Sequence, residues 1–270
     1  MILGLSSYTF GWSVGVPGHP PPAPMDARAL LDRAAAHGVR VVQLCENLGM
    51  PLRSESFADD LREQARQRGL RLEVGSRRLT AAHGRELIGF ARRVGARLVR
   101  FVVDGPQYHP TPREIVSVVR ELVPELDGLV LALENHDRLP AHVLRGVLEA
   151  VASDRVGLCL DTANSLGAGE GLNTVVAELA PWTVNLHLKD FRVVRLPHQM
   201  GFTVEGRPAG AGMLDLPWLL REVARSGRCE TAILELWTPP EDSLDATMAK
   251  EEDWARQSLE TLRPLFPVRT

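Results

Sequence analysis

Short apolar runs recur along the chain. They are separated by longer stretches in which apolar positions return every three or four residues. The runs are ILGLSS (2–7), VRVVQLCE (39–46), LRLEVGS (70–76), RLVRFVV (97–103), LVLALE (129–134), VGLCLD (156–161), TVNLHL (183–188) and TAILEL (231–236). Their length and their β-branched and Leu-rich composition predict buried strands. The stretches 26–38, 57–69, 85–96, 113–126 and 214–227 carry the helical period. The first two end in Gly after a basic last turn, the mark of a helix stop.

Eight strands alternating with helices predict parallel βαβ units, spaced at about one unit each. The natural closure is an α/β single-domain (β/α)8 TIM barrel over 1–270. An open doubly wound sheet would want a Gly-rich fingerprint after the first strand, and SSYTFGW is not one. The last spacing is long because 191–212, FRVVRLPHQMGFTVEGRPAGAG, is inserted after the seventh strand. On that side of a barrel an insertion is expected to be an active-site loop.

Composition narrows the function. The 270 residues are 44% hydrophobic and 24% charged, with a net charge of -3. That is an ordinary globular composition, with no basic field to attract nucleic acid or a membrane surface. No apolar run is long enough to span a bilayer, and MILGLSSYTF is a poor signal peptide. Cys45, Cys159 and Cys229 have neither zinc nor disulfide spacing, and Cys45 and Cys159 read as small core residues. The expected location is cytoplasmic.

Four consecutive strands end in metal-ligand residue types: Glu134, Asp161, His187 and Glu235. A lone strand-end carboxylate is ordinarily a helix cap or half of an ion pair, and a lone His a hydrogen-bonded core residue. Four together, converging on the mouth of a barrel, would offset one another's burial around one cation. Three carboxylates and an imidazole suit Mn2+, Mg2+ or Co2+, with Zn2+ also admissible.

The stretches LENH, CLDTAN, NLHLKD, GRPAGAG and AILELW resemble the xylose-isomerase-like TIM barrels, the sugar phosphate isomerase/epimerase superfamily. The resemblance runs the length of the chain. It implies one divalent metal held by Glu134, Asp161, His187 and Glu235, with Glu134 and Glu235 as acid and base in ketose epimerisation. Gly210, Gly212 and Asp215 also look like the family's pattern, and homo-oligomers are common in it. One departure is Asn164, where many members have a His three residues after the Asp. That amide argues against a multi-metal repair endonuclease of the same fold.

Other candidates surround the ligands. Lys189 and Arg100 would meet an anionic substrate, Arg100 because a charge inside an apolar run needs a partner. His136 shares the face of Glu134 if its strand continues. Arg192, His198 and Arg207 in the insertion could close over substrate. Gln43 and Asn47 compete with Glu46 to point inward from the second strand. Tyr8, Trp12 and Trp237 either line the pocket or pack beneath it.

The leading expectation is a metal-dependent isomerase or epimerase acting on a small carbohydrate through a cis-enediolate. The alternative on the same site is decarboxylation of a 3-oxo sugar acid, as in the 3-oxo-isoapionate decarboxylases. A dehydratase and a non-catalytic sugar-binding barrel are the remaining readings.

Overall fold

The computed structural model describes residues 1–266. Its centre is a closed, all-parallel barrel. The barrel strands are β1 (Ile2–Ser6), β2 (Val41–Leu44), β3 (Arg71–Arg77), β4 (Leu98–Val102), β5 (Val130–Glu134), β6 (Val156–Asp161), β7 (Thr183–Leu188) and β10 (Thr231–Leu234). All eight lie within or beside the apolar runs, and β1 closes the circle by pairing with both β2 and β10. The expected α/β architecture, a single (β/α)8 TIM barrel, is therefore the observed one.

Helices α2 (Ala27–Ala36), α3 (Glu55–Gln67), α4 (Ala81–Val94), α5 (Pro112–Leu122), α6 (Ala141–Val151), α7 (Leu172–Leu179), α8 (Leu216–Ala224) and α9 (Leu244–Leu262) surround the strands; α1 (Gly11–Val14) is a single turn. Their starts follow from capping. Thr111 and Glu114 form a reciprocal capping box around Pro112, so α5 begins with two of its free amides satisfied. Ile115, Val119 and Leu122 of α5 recur at helical spacing and are buried. Each such side chain contributes about 1.5–3 kcal/mol on leaving water.

The barrel interior mixes apolar and polar side chains. Leu98, Ala132, Cys159 and Val184 form a small apolar cluster. Gln43, Glu73, Arg100 and Asn185 are also buried. Arg100 fits because it is paired in register with Gly75, where an added Cβ would lie 2.9 Å from the guanidinium.

The inserted stretch is not simply a loop. Its first part is an antiparallel hairpin of β8 (Asp190–Arg195) and β9 (Phe202–Arg207). Val193 faces Val204, and Phe191 faces Gly206. The root is locked, since a Cβ on Gly206 would lie 1.9 Å from the Trp237 carbonyl oxygen. The outer part is apolar and exposed: Met200 is 82% and Phe202 58% accessible. Among the described residues no helix is long and apolar enough to cross a membrane.

Candidate metal centre

The strand ends bring the four sequence-predicted ligands to one mouth of the barrel. Asp161 and His187 are partners in the β6–β7 register. Glu134 ends β5, and Glu235 lies one residue past β10, its N–H still donating to Leu188 at 3.0 Å. All four are almost fully buried. His187 Nδ1 stands 3.4 Å from Glu235 Oε1, 3.8 Å from Asp161 Oδ2 and 3.9 Å from Glu134 Oε2. Asp161, His187 and Glu235 each offer a ligand atom within 4.8 Å of the others, and Glu134 forms a second such group with His187 and Cys159.

The residues fit a divalent ion. Among the described residues His187 Nδ1 is buried without a hydrogen-bond partner, Glu134 Oε2 and Asp161 Oδ2 each meet only a cationic side chain, and the set is three carboxylates and an imidazole. Burial pushes His187 down to about 4, outweighing the neighbouring carboxylates, so its ring is neutral as a ligand requires. Cys159 is not a competing thiolate, because burial holds its thiol well above the ordinary range.

Two cations are built into this centre. Lys189 Nζ lies 3.0 Å from Asp161 Oδ2 and 3.1 Å from Glu235 Oε2. Arg100 Nε lies 3.1 Å from Glu134 Oε2. Burial alone would drive off the Lys189 proton; Asp161, Glu235 and Glu134 overcome it and hold the ammonium more firmly than usual. The two glutamates are pushed apart. Burial raises Glu134 despite Arg100, whereas in Glu235 the effect of burial is overcome by His187, Lys189 and Arg100, and its carboxyl is held low.

Asn164 is the link between these groups. Its Nδ2 donates to Glu134 Oε1 at 2.8 Å, and its Oδ1 accepts from Lys189 at 3.4 Å. Asp161 uses its Oδ1 to cap the turn at Ala163 and Asn164, leaving Oδ2 for the centre. It is both a cap and a candidate ligand.

The remaining sequence candidates are placed less centrally. His136 lies at the rim, with Nδ1 2.7 Å from Asp137 Oδ1, while its neighbour Asn135 ties β5 to β6 through the Asp161 backbone. Arg192 is exposed and reaches the Ala211 carbonyl; Arg207 donates to its own strand at Gly206 and Glu205. His198 accepts the Met200 N–H in the hairpin tip. Among the described residues these side chains hydrogen-bond elsewhere and not to Glu134, Asp161, His187 or Glu235. Gln43 points inward and Asn47 bonds to Ser7, whereas Glu46 accepts from Tyr8 and lies 3.9 Å from Arg100. Trp237 stands with its ring 5.0 Å from Lys189 Nζ, and Trp12 Nε1 donates to the Thr238 carbonyl at 2.8 Å. Asp215 caps α8; Gly210 and Gly212 instead donate their N–H groups to Asp190.

Sequence reading missed Glu73, which lies buried beneath the centre and accepts from Gln43, Asn185 and Thr231. The signal was present, since Glu73 interrupts LRLEVGS much as Arg100 interrupts LVRFVV. Ser6, which donates to Glu235 Oε1 at 2.9 Å, carried no comparable signal.

The chain is similar to several known proteins. It is 31% identical over 264 residues to a 3-oxo-isoapionate decarboxylase of Pectobacterium atrosepticum, covering 97% of this chain and 95% of that one. Its fold matches a D-psicose 3-epimerase crystallised with D-fructose at 13% identity, with a TM-score of 0.72 over 97% of this chain and 98% of the other. It also matches a xylose isomerase-like protein from Mycobacterium smegmatis in complex with magnesium, at 18% identity and a TM-score of 0.68 over 96% and 97%. The model of the xylose isomerase-like TIM barrel family matches residues 21–265. With the closed barrel, that match makes the chain a member of the xylose isomerase-like TIM barrel family.

Proposed function

We propose that this protein is a divalent-metal-dependent enzyme that decarboxylates a 3-oxo sugar acid. The observation that carries the reading is the pair of buried cations, Lys189 and Arg100, in contact with the ligand carboxylates. With Glu134 keeping the proton that burial favours, the other two carboxylates balance the two cations. A divalent ion then leaves the centre net positive and complementary to an anionic substrate. The similarity to a 3-oxo-isoapionate decarboxylase supports the same substrate class.

Glu134, Asp161, His187 and Glu235 would hold the ion, which when bound supplies Lewis acidity for charge developing on the substrate oxygens. The bond between the carboxylate carbon and its neighbour breaks, CO2 leaves, and the electron pair passes into an enediolate. A proton then returns to that carbon. Glu134 is the residue whose proton affinity burial raises, so it is the assigned donor at this step. Lys189 and Arg100 provide fixed positive charge without taking up protons from the substrate. The near-complete burial of the cluster excludes water from the reacting face.

Purified protein loaded with Mn2+ should release CO2 from 3-oxo aldonates, and Glu134→Gln should lose that release. Absence of CO2 across such substrates would sink the proposal. Epimerisation of a neutral ketose is the second reading, favoured by the opposed proton affinities of Glu134 and Glu235. It predicts solvent-deuterium incorporation without CO2.

A further inference from the structure

We infer that Gln43 and Glu73 form a buried tautomer lock that keeps the metal-facing nitrogen of His187 unprotonated. The inference rests on the reading of the strand-end cluster as a metal centre and assigns two positioning residues beneath it. His187 Nε2 lies 2.9 Å from Gln43 Oε1. Which of the two groups donates is decided one step further in. Gln43 Nε2 donates to Glu73 Oε2 at 3.1 Å and to Asn185 Oδ1 at 3.2 Å. Both partners there are acceptors. Burial raises the proton affinity of Glu73, and the hydrogen bonds from Thr231 and Gln43 oppose it; with Glu73 ionised, a reversed Gln43 amide would set its oxygen against a carboxylate and a carbonyl oxygen, with no proton between them.

The rest of the network leaves no slack. Asn185 Nδ2 donates to Thr231 Oγ1 at 2.7 Å and to Glu73 Oε2 at 3.2 Å, which fixes Asn185 Oδ1 towards Gln43. Thr231 Oγ1 donates to Glu73 Oε1 at 2.7 Å. Three donors thus converge on Glu73, and Gln43 can present only its oxygen to His187. An oxygen there demands the Nε2–H tautomer, so Nδ1 carries the lone pair. Nδ1 is the atom that faces Glu134, Asp161 and Glu235 without a hydrogen-bond partner of its own. The lock therefore prepares a ligand atom from residues on β2 and β3, far in sequence from β7.

Replacing Glu73 by Gln tests it, because the change is nearly isosteric and supplies an amide where Gln43 now donates. The Gln43 amide is then free to reverse and favour Nδ1–H. Mn2+ affinity, measured by calorimetry on the full chain, should fall about 10–100-fold in Glu73→Gln, with the far-UV spectrum retained. A change within twofold overturns the lock. Independently of any such variant, 15N-histidine spectra of the metal-free native protein, with His187 assigned through His187→Gln, should show Nε2–H. An Nδ1–H signal also overturns it. Failure of the native protein to bind Mn2+ at all would overturn the metal-centre reading instead, and the tautomer signal alone would then decide the lock.

Discussion

A lysine ammonium between two of the candidate ligand carboxylates means that the centre carries its own counter-ion. Lys189 contacts both Asp161 and Glu235, while Arg100 attends Glu134. Removing Lys189 leaves two buried carboxylates facing each other without a cation. Lys189→Met should therefore destabilise the metal-free protein by about 3–5 kcal/mol. Added Mn2+ should then raise the melting temperature more in the variant than in the native protein. Equal shifts would show that Lys189 is not compensating the ligand charge. Asn164 acts differently, since its amide hydrogen-bonds Glu134 Oε1 and carries no charge to offer a cation. Asn164→Ala should keep its bound metal by elemental analysis and lose about 10–100-fold in turnover. Loss of metal would make Asn164 part of the ion's support.

At the level of elements, α9 reaches over to pin the segment after β1. Glu251, buried on α9, accepts from the Trp12 and Ser13 backbone N–H groups and from Ser13 Oγ. Burial pushes its carboxyl up to about 7, against those donors. The folded state therefore holds a proton that the unfolded chain releases near 4.5. The associated stability is fully present below pH 4.5 and is lost as pH rises through about 7, a contribution on the order of 3 kcal/mol. The melting temperature of metal-free native protein should fall over that window more steeply than that of Glu251→Gln. Parallel curves would remove Glu251 as the titrating group.

The hairpin shows where elements were hard to read. Its strands alternate, but Val194 falls among the polar face residues and Arg195 stacks on Phe202 on the other. Neither side therefore reads as a clean apolar stripe. The β2 register was ambiguous for a related reason: the strand ends at Leu44, so Gln43 is fixed by pairing while Glu46 lies in the turn beyond. The clustering of Glu134, Asp161, His187 and Glu235 was legible because each closes an apolar run. The contacts of Asn164 with Glu134 and Lys189 were not, because they depend on how the turn after Asp161 folds back.

The whole molecule is organised around a polar interior that only a closed barrel satisfies. Glu73, Gln43, Asn185 and Thr231 come from β3, β2, β7 and β10, and no sequence period reports which strands meet across the barrel. Thr231→Val removes a donor to Glu73 and an acceptor for Asn185 Nδ2. It should lower stability by about 1–3 kcal/mol in urea unfolding, the usual effect of leaving a buried polar group unsatisfied. An unchanged midpoint would mean that these groups find other partners.

The Thr231–Glu73 hydrogen bond has a consequence for biosynthesis. Its two residues are separated by 158 positions. At roughly 5–20 residues per second, Thr231 follows Glu73 out of the ribosome by about 8–30 s. Until it arrives, β1 and β7 are open sheet edges and Glu73 lacks one of its three donors. The last strand is the keystone, and a nascent chain stalled before it would present those edges to chaperones or to other unfinished chains.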